Sequence, residues 1–176
     1  MKSNNLLLIV LGFALAAGAF FWFKRSEKVV APAANAKLRI VNVLDKEFFD
    51  DAHIQGSATV ASVNVPFVDP AKFAAAVQAW DKTVPVVTYC TNYFCTASGE
   101  AAEKLMELGF THVYAYEAGM AEWVQLSKND SNYAVEGPVK NKVWGMVVPK
   151  PEKDHGKVRE ISSQELQKMI KDVTLS

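Results

Sequence analysis

The sequence predicts an α/β fold built on a parallel sheet. Three observations carry that expectation. Apolar, β-branched runs at residues 38–43 (LRIVNV), 84–89 (VPVVTY) and 112–116 (HVYAY) recur along the chain. Between them lie stretches with apolar residues at helical spacing. Strands that alternate with helices return to the same end of a sheet and so pair in parallel.

Each element has its own local reason. Residues 38–43 read as a buried strand, and residues 46–51 as a helical turn or two. Residues 58–65 are β-prone. Asp69 followed by Pro70 fits a cap with proline at the first helical position. In the helix after it, Phe73, Val77 and Trp80 share one stripe. The second clear strand, 84–89, runs straight into Cys90. Ser98 is the expected N-cap of the next helix, with Glu100 in its first turn. Ala101, Ala102, Leu105, Met106 and Leu108 form that helix's apolar face, and Gly109 closes it. Strand 112–116 follows, then a short helix over 118–126 whose Trp123 belongs in the core. Beyond Tyr133 the chain turns rich in Pro, Gly and Lys without a period. It ends in a helix where Ser162 and Glu165 have capping-box spacing and Leu166, Met169, Ile170 and Val173 make an apolar stripe.

The first residues form a separate unit. Residues 6–23 (LLLIVLGFALAAGAFFWF) are uncharged. At about 1.5 Å per residue they span about 27 Å, close to a bilayer core. Trp22 and Phe23 end the run, and Lys24 and Arg25 follow at once. A cleaved signal peptide has a shorter apolar region and small residues after it, and the A-x-A pattern here, Ala34 to Ala36, lies well past the basic pair. The expectation is one uncleaved transmembrane anchor. Lys24, Arg25 and Lys28 outweigh Lys2, which favours a cytoplasmic globular part over a periplasmic one. The expected organisation is an anchor over 1–25, a tether over 26–37, an α/β domain over 38–137, and a C-terminal extension over 138–176 ending in an amphipathic helix.

Composition narrows the function. Nineteen basic and 19 acidic side chains cancel, and no basic run interleaves with aromatics, so nucleic-acid binding is set aside. The two cysteines, Cys90 and Cys95, are too few for a disulfide-stapled fold, and their spacing is a poor zinc pattern. No metal and no cofactor is expected. Cys90 stands at the carboxyl end of a strand, where open α/β sheets bind ligands. Loop N–H groups and the coming helix N-terminus would favour a thiolate there, and a thiolate is the nucleophile. Against this stands a plain buried cysteine at a strand end. The other polar candidates read as structural: His53 as a residue that orders its turn, and Asp45, Asp50 and Asp51 as solvated charges or caps.

Four blocks in order resemble one family. They are AHIQGS at 52–57, the VVTYC strand ending at Cys90, AAEKLMELGF at 101–110, and VYAYEAGMAEW at 113–123. Together they resemble a single-domain rhodanese. The resemblance implies a mostly parallel five-stranded sheet with helices on both faces, and sulfur transfer through a persulfide on Cys90. Thr91, Asn92, Tyr93, Phe94, Thr96, Ala97 and Ser98 would form the substrate-binding loop. A sulfur donor and a thiol acceptor would be the partners. Departures are specific. Asn42, Val43 and Leu44 stand where the family commonly has D-V-R, and Glu117, Ala118 and Gly119 where it has E-G-G. The loop is about two residues longer than usual and lacks Arg and Lys, with Cys95 where the family's arginine would fall. The chain thus looks like a subgroup with a C-x4-C-x2-S loop. Cys95 is a resolving thiol, a permanent disulfide partner or a bystander. A loop without a cation predicts weak turnover of thiosulfate, a dianion, and a preference for a persulfide donor. Alternatives to sulfur transfer are a catalytically inactive module that binds a protein at the membrane, and a Cys90/Cys95 thiol–disulfide switch. The terminal segment EISSQELQKMI resembles the family's usual opening segment, which is missing before residue 38. Its helix either packs where the opening helix would sit, as in a circular permutation, or docks elsewhere.

Overall fold

The computed structural model describes residues 37–60, 70–152 and 156–174. The expected anchor, nearly all of the tether, the Asp69 cap and the end of the β-prone stretch 58–65 lie outside them. Among the described residues, no helix is long and apolar enough to cross a membrane.

The described residues form seven strands and five helices, in chain order β1 (Arg39–Asn42), α1 (Lys46–Asp51), β2 (His53–Ile54), β3 (Ala58–Thr59), α2 (Pro70–Val77), β4 (Val86–Tyr89), α3 (Ala97–Glu107), β5 (Val113–Tyr116), α4 (Gly119–Ser127), β6 (Val135–Glu136), β7 (Arg159–Glu160) and α5 (Ser163–Thr174). A single 3₁₀ turn, Lys142–Gly145, lies between β6 and β7. Five strands form one sheet in the order β3-β1-β4-β5-β7, and every pairing is parallel. Strands β2 and β6 form a small antiparallel ribbon. Helices α2 and α3 touch each other, whereas α1 and α4 both meet β2 of the ribbon.

The central strands β1 and β4 are buried at every residue, as expected of strands covered on both faces. Val41, Val86, Val87 and Tyr89 are fully enclosed. The helix stripes dock where their spacing puts them: Phe73, Val77 and Trp80 from α2 and the turn after it, and Ala101, Ala102 and Leu105 from α3. Gly109 has φ +90° just past α3, and the Gly109 and Phe110 N–H groups donate to the Met106 and Leu105 carbonyls.

Three local expectations change. Ser98 is not the cap of α3. The helix begins at Ala97, and Ser98 lies inside its first turn, fully buried. Asp51 is part-exposed, as a solvated charge would be, but it also ties two segments together. Its carboxylate accepts the Lys140 and Asn141 N–H groups at 3.0 and 2.9 Å and the Trp144 indole N–H at 2.6 Å. The aperiodic stretch after Tyr133 also has more order than its composition suggested. Trp144 is buried, and Arg159–Glu160 adds a fifth strand beside β5. Two strands, β4 and β5, separate that edge from β1. The capping box forms as spaced: Ser162 N–H donates to Glu165, and Glu165 N–H to the Ser162 hydroxyl. Leu166 enters the core, with Met169 and Ile170 packed against it.

Candidate active-site loop

Strand β4 ends at Tyr89, and the chain leaves the sheet through Cys90 into a loop that reaches α3 at Ala97. The start of this loop is pinned by α4. Met120 N–H donates to the Cys90 carbonyl and Ala121 N–H to the Thr91 carbonyl, each at 2.9 Å. The first free N–H groups of a helix thus find acceptors in the loop. Gly119 makes the approach close enough. Its φ is +66°, and a Cβ placed there would lie 2.6 Å from the Cys90 carbonyl oxygen and 2.7 Å from the Thr91 carbonyl.

The rest of the loop is held by its own side chains. The Asn92 side chain is almost fully buried; its Oδ1 accepts the Phe94 N–H at 3.0 Å, and its Nδ2 donates to the Met146 carbonyl at 2.8 Å. The Cys95 N–H donates to the Asn92 carbonyl at 2.9 Å. Tyr93 packs against the core, and its hydroxyl donates to Glu160 in β7. Burial, with the negative charge of Glu160 next, pushes that hydroxyl well above the ordinary tyrosine range. Glu160 is in turn paired with Lys150 at 2.6 Å. Of the two aromatic loop residues, one packs down and the other, Phe94, stands 75% exposed. Thr96 is exposed, its hydroxyl donating to Glu100 at 2.6 Å, and Ala97 is buried.

Cys90 is completely buried and reduced. Its thiol faces acceptors: the Cys95 carbonyl at 3.2 Å and the Asn92 carbonyl at 3.9 Å. The Ser98 hydroxyl lies 3.2 Å away. Thr88, two residues upstream, fixes Ser98 by donating to its carbonyl at 2.8 Å. Burial, and then the neighbouring Cys95, hold the Cys90 thiol well above its ordinary value, with Ser98 opposing. Carbonyl lone pairs aimed at a sulfur favour S–H over S⁻. The thiolate environment expected around Cys90 is found instead around Cys95. The Cys95 residue is part-exposed, and its sulfur receives hydrogen bonds from the Cys90 thiol, the Ala97 and Thr91 N–H groups and the Thr91 hydroxyl. The Cys90 hydrogen bond contributes most, and the Cys95 value falls to about 6. Ala97 N–H belongs to the first turn of α3, so the positive end of that helix also faces Cys95. Both cysteines are free, with no disulfide between them.

Of the expected loop residues, Thr91, Asn92, Ala97 and Ser98 contact the two sulfurs, whereas Tyr93, Phe94 and Thr96 make their contacts elsewhere or stand exposed. The structure also recruits residues that the sequence reading missed. Glu160, the Met146 carbonyl and the N–H groups of Met120 and Ala121 brace the loop from outside it. Only the E-G-G-like triplet at Glu117, Ala118 and Gly119 pointed toward any of them. His53 lies in the ribbon, with Nδ1 2.8 Å from the Phe49 carbonyl, Nε2 3.0 Å from Glu136 and its ring stacked on Phe49. Those contacts order the turn between α1 and β2. Trp123 is in the core, its indole N–H donating to the Ala134 carbonyl at 3.1 Å.

Among solved structures, the BH2092 protein from Bacillus halodurans is 23% identical over 60% of this chain and 67% of its own, with a TM-score of 0.46. The rhodanese-like domain of the Alr3790 protein from Anabaena sp. is 19% identical over 72% of this chain and 82% of its own, also with a TM-score of 0.46. A rhodanese from E. coli, solved with anions, is 30% identical over 47% of this chain and 86% of its own, with a TM-score of 0.35. No curated protein matches. The model of the rhodanese-like domain family matches residues 26–126, more than half of the chain. On that extent of match, the chain belongs to the rhodanese-like domain family.

Proposed function

We propose that the protein is a membrane-anchored sulfurtransferase or persulfide carrier in which Cys90 holds the sulfane sulfur. The observation that carries this reading is the position of Cys90: at the carboxyl end of the central strand β4, heading a loop that leads into α3. Transfer from a persulfide R–S–SH forms a bond from the Cys90 sulfur to the terminal sulfur and breaks the bond to R–S⁻, which leaves as the thiol. Transfer from thiosulfate breaks its S–S bond and releases sulfite. The C-x4-C-x2-S loop carries no Arg or Lys between Cys90 and Ser98. A dianion there meets no loop cation, so persulfides are the better donors. Residues 6–23 would hold the domain at the membrane, with the charge bias placing it on the cytoplasmic side.

The test uses the full chain in detergent, reduced and then exposed to glutathione persulfide or thiosulfate. Intact mass should show one added sulfur atom, reached faster from the persulfide, and none in a Cys90→Ser/Cys95→Ser double variant. A folded, reduced chain that gains no sulfur from either donor refutes the proposal. Carbonate-resistant membrane association of the full chain, lost on deleting residues 1–25, tests the anchor. A second reading, a thiol–disulfide switch, is favoured by one observation: the Cys90 thiol is hydrogen-bonded to the Cys95 sulfur. It predicts a reversible loss of two hydrogen atoms to a mild oxidant, as the disulfide closes, with no sulfur added by either donor.

A further inference from the structure

We propose that sulfane sulfur enters the protein at Cys95 and is then handed to Cys90. This rests on the sulfur-transfer reading above and specifies its route. Three observations carry it. First, Cys90 has no exposed surface, whereas Cys95 is part-exposed on the same loop. A donor in solvent meets Cys95 first. Second, the hydrogen-bond donors are distributed unequally. Two backbone N–H groups and a hydroxyl, from Ala97 and Thr91, converge on the Cys95 sulfur together with the Cys90 thiol. This is an anion cradle at the end of a helix, the setting that activates a thiol. Around Cys90 two loop carbonyl oxygens, of Cys95 and Asn92, face the thiol, against donors from Ser98 alone, and full burial adds to the cost of a negative sulfur. Third, the two thiol side chains lie within hydrogen-bonding reach of each other, so the transferred sulfur has only a short way to move.

The steps balance without an oxidant or reductant. The Cys95 thiolate attacks the terminal sulfur of a persulfide donor, R–S–SH. A bond forms from the Cys95 sulfur to that atom, and the bond to R–S breaks. The departing thiolate takes up the donor's proton, which leaves Cys95–S–S⁻ and R–SH. Cys90 then attacks the outer sulfur. Its proton passes to the Cys95 sulfur as the Cys95–S bond breaks, giving Cys90–S–S⁻ and Cys95–SH. Ser98, at 3.2 Å from the Cys90 sulfur, remains placed to donate to the sulfur after transfer.

The experiment follows persulfide loading of the full chain by intact mass over time, with glutathione persulfide as donor at about pH 7. Cys90→Ser should still gain one sulfur atom, because its only remaining cysteine is Cys95. Cys95→Ser should load Cys90 on the order of tenfold or more slowly than wild type, since a thiol replaces a thiolate as the attacking group. Thr91→Val removes one donor to Cys95 while keeping both cysteines. It should slow loading at about pH 7 and recover near pH 9, where the thiol ionises unaided, a recovery that a merely misfolded loop would not show. If Cys95→Ser loads as fast as wild type, or Cys90→Ser gains nothing, the route is wrong while sulfur transfer on Cys90 stands. If neither wild type nor Cys95→Ser gains sulfur, the sulfur-transfer reading itself fails.

Discussion

Replacing Gly119 with alanine tests how tightly α4 sets the position of Cys90. Two costs add. The residue has φ +66°, where an L side chain costs about 1–2 kcal/mol. The new Cβ also meets the Cys90 and Thr91 carbonyls at 2.6–2.7 Å, against 3.4 Å or more for ordinary contact. Those atoms are backbone, fixed on one side by central strand β4 and on the other by the Met120 and Ala121 hydrogen bonds. Relief requires a shift of the loop or the helix, an overpacking cost of about 1–3 kcal/mol. Gly56→Ala supplies the control. Its φ is +76°, yet a Cβ there has nothing within 4 Å, so it bears the backbone cost alone. Urea unfolding of the two variants should therefore differ by about 1–3 kcal/mol, a midpoint separation of roughly 1 M. Equal midpoints would refute the claim that close approach, and not merely backbone conformation, requires glycine at 119. Persulfide loading should also fall in Gly119→Ala and stay at the wild-type rate in Gly56→Ala.

Other outcomes follow from single contacts. The buried Tyr89 hydroxyl lies 2.8 Å from the Ser57 hydroxyl and accepts the Ile54 N–H at 3.2 Å. Tyr89→Phe leaves those groups without a partner and should cost about 1–3 kcal/mol in thermal unfolding. Burial, opposed first by the Ser57 hydrogen bond, raises the Tyr89 hydroxyl to about 12, so it should ionise only near that pH in an ultraviolet titration. Alkylation of Cys95 by iodoacetamide in Cys90→Ala should resume a midpoint closer to an ordinary thiol, whereas in wild type the midpoint should lie near 6, because the Cys90 hydrogen bond is the largest cause of the depression. The depressed thiol stabilises the fold above its unfolded value, and that contribution is lost as pH falls through about 6. Asp51 behaves similarly at lower pH. Burial raises its carboxyl, but the hydrogen bonds from Trp144, Asn141 and Lys140 together bring it below its ordinary 3.8. Its grip on residues 140–144 should persist to that point and weaken as pH falls further. Asp51→Asn should speed hydrogen exchange at the Lys140 and Asn141 amides at neutral pH, and unchanged exchange would show that the carboxylate is dispensable.

Much of the sheet was legible because its strands announce themselves locally. The runs at 38–43, 84–89 and 112–116 are apolar and β-branched, and each contains an observed strand. Strand β7 was not legible. It has two residues, Arg and Glu, and only its pairing with Tyr114 and Ala115 makes it a strand. Local propensity holds no trace of a partner so distant in sequence. The same limit applied to the site. The strand end and the motif spacing located Cys90, but the direction in which each peptide group of the loop points is a tertiary fact. That direction decides which sulfur gathers more N–H groups and which faces the carbonyls. Ser98 shows the local form of the problem. Its residue type suits a cap, yet α3 starts one residue earlier, and the hydroxyl faces Cys90 instead.

The strand order also has a consequence for the protein during synthesis. Of the five sheet strands, β7 is the last to emerge from the ribosome, and it lies at the sheet's edge beside β5. Strand β5 can pair with β4 well before then, leaving its other edge open for the time taken to translate from Tyr116 to Arg159. An open parallel edge is a template for other chains. Pairing across so long a connection is also slow relative to local contacts. The nascent domain is thus most prone to aggregate in that interval, and a ribosome stalled between β6 and β7 would present a nearly complete sheet with an unprotected side.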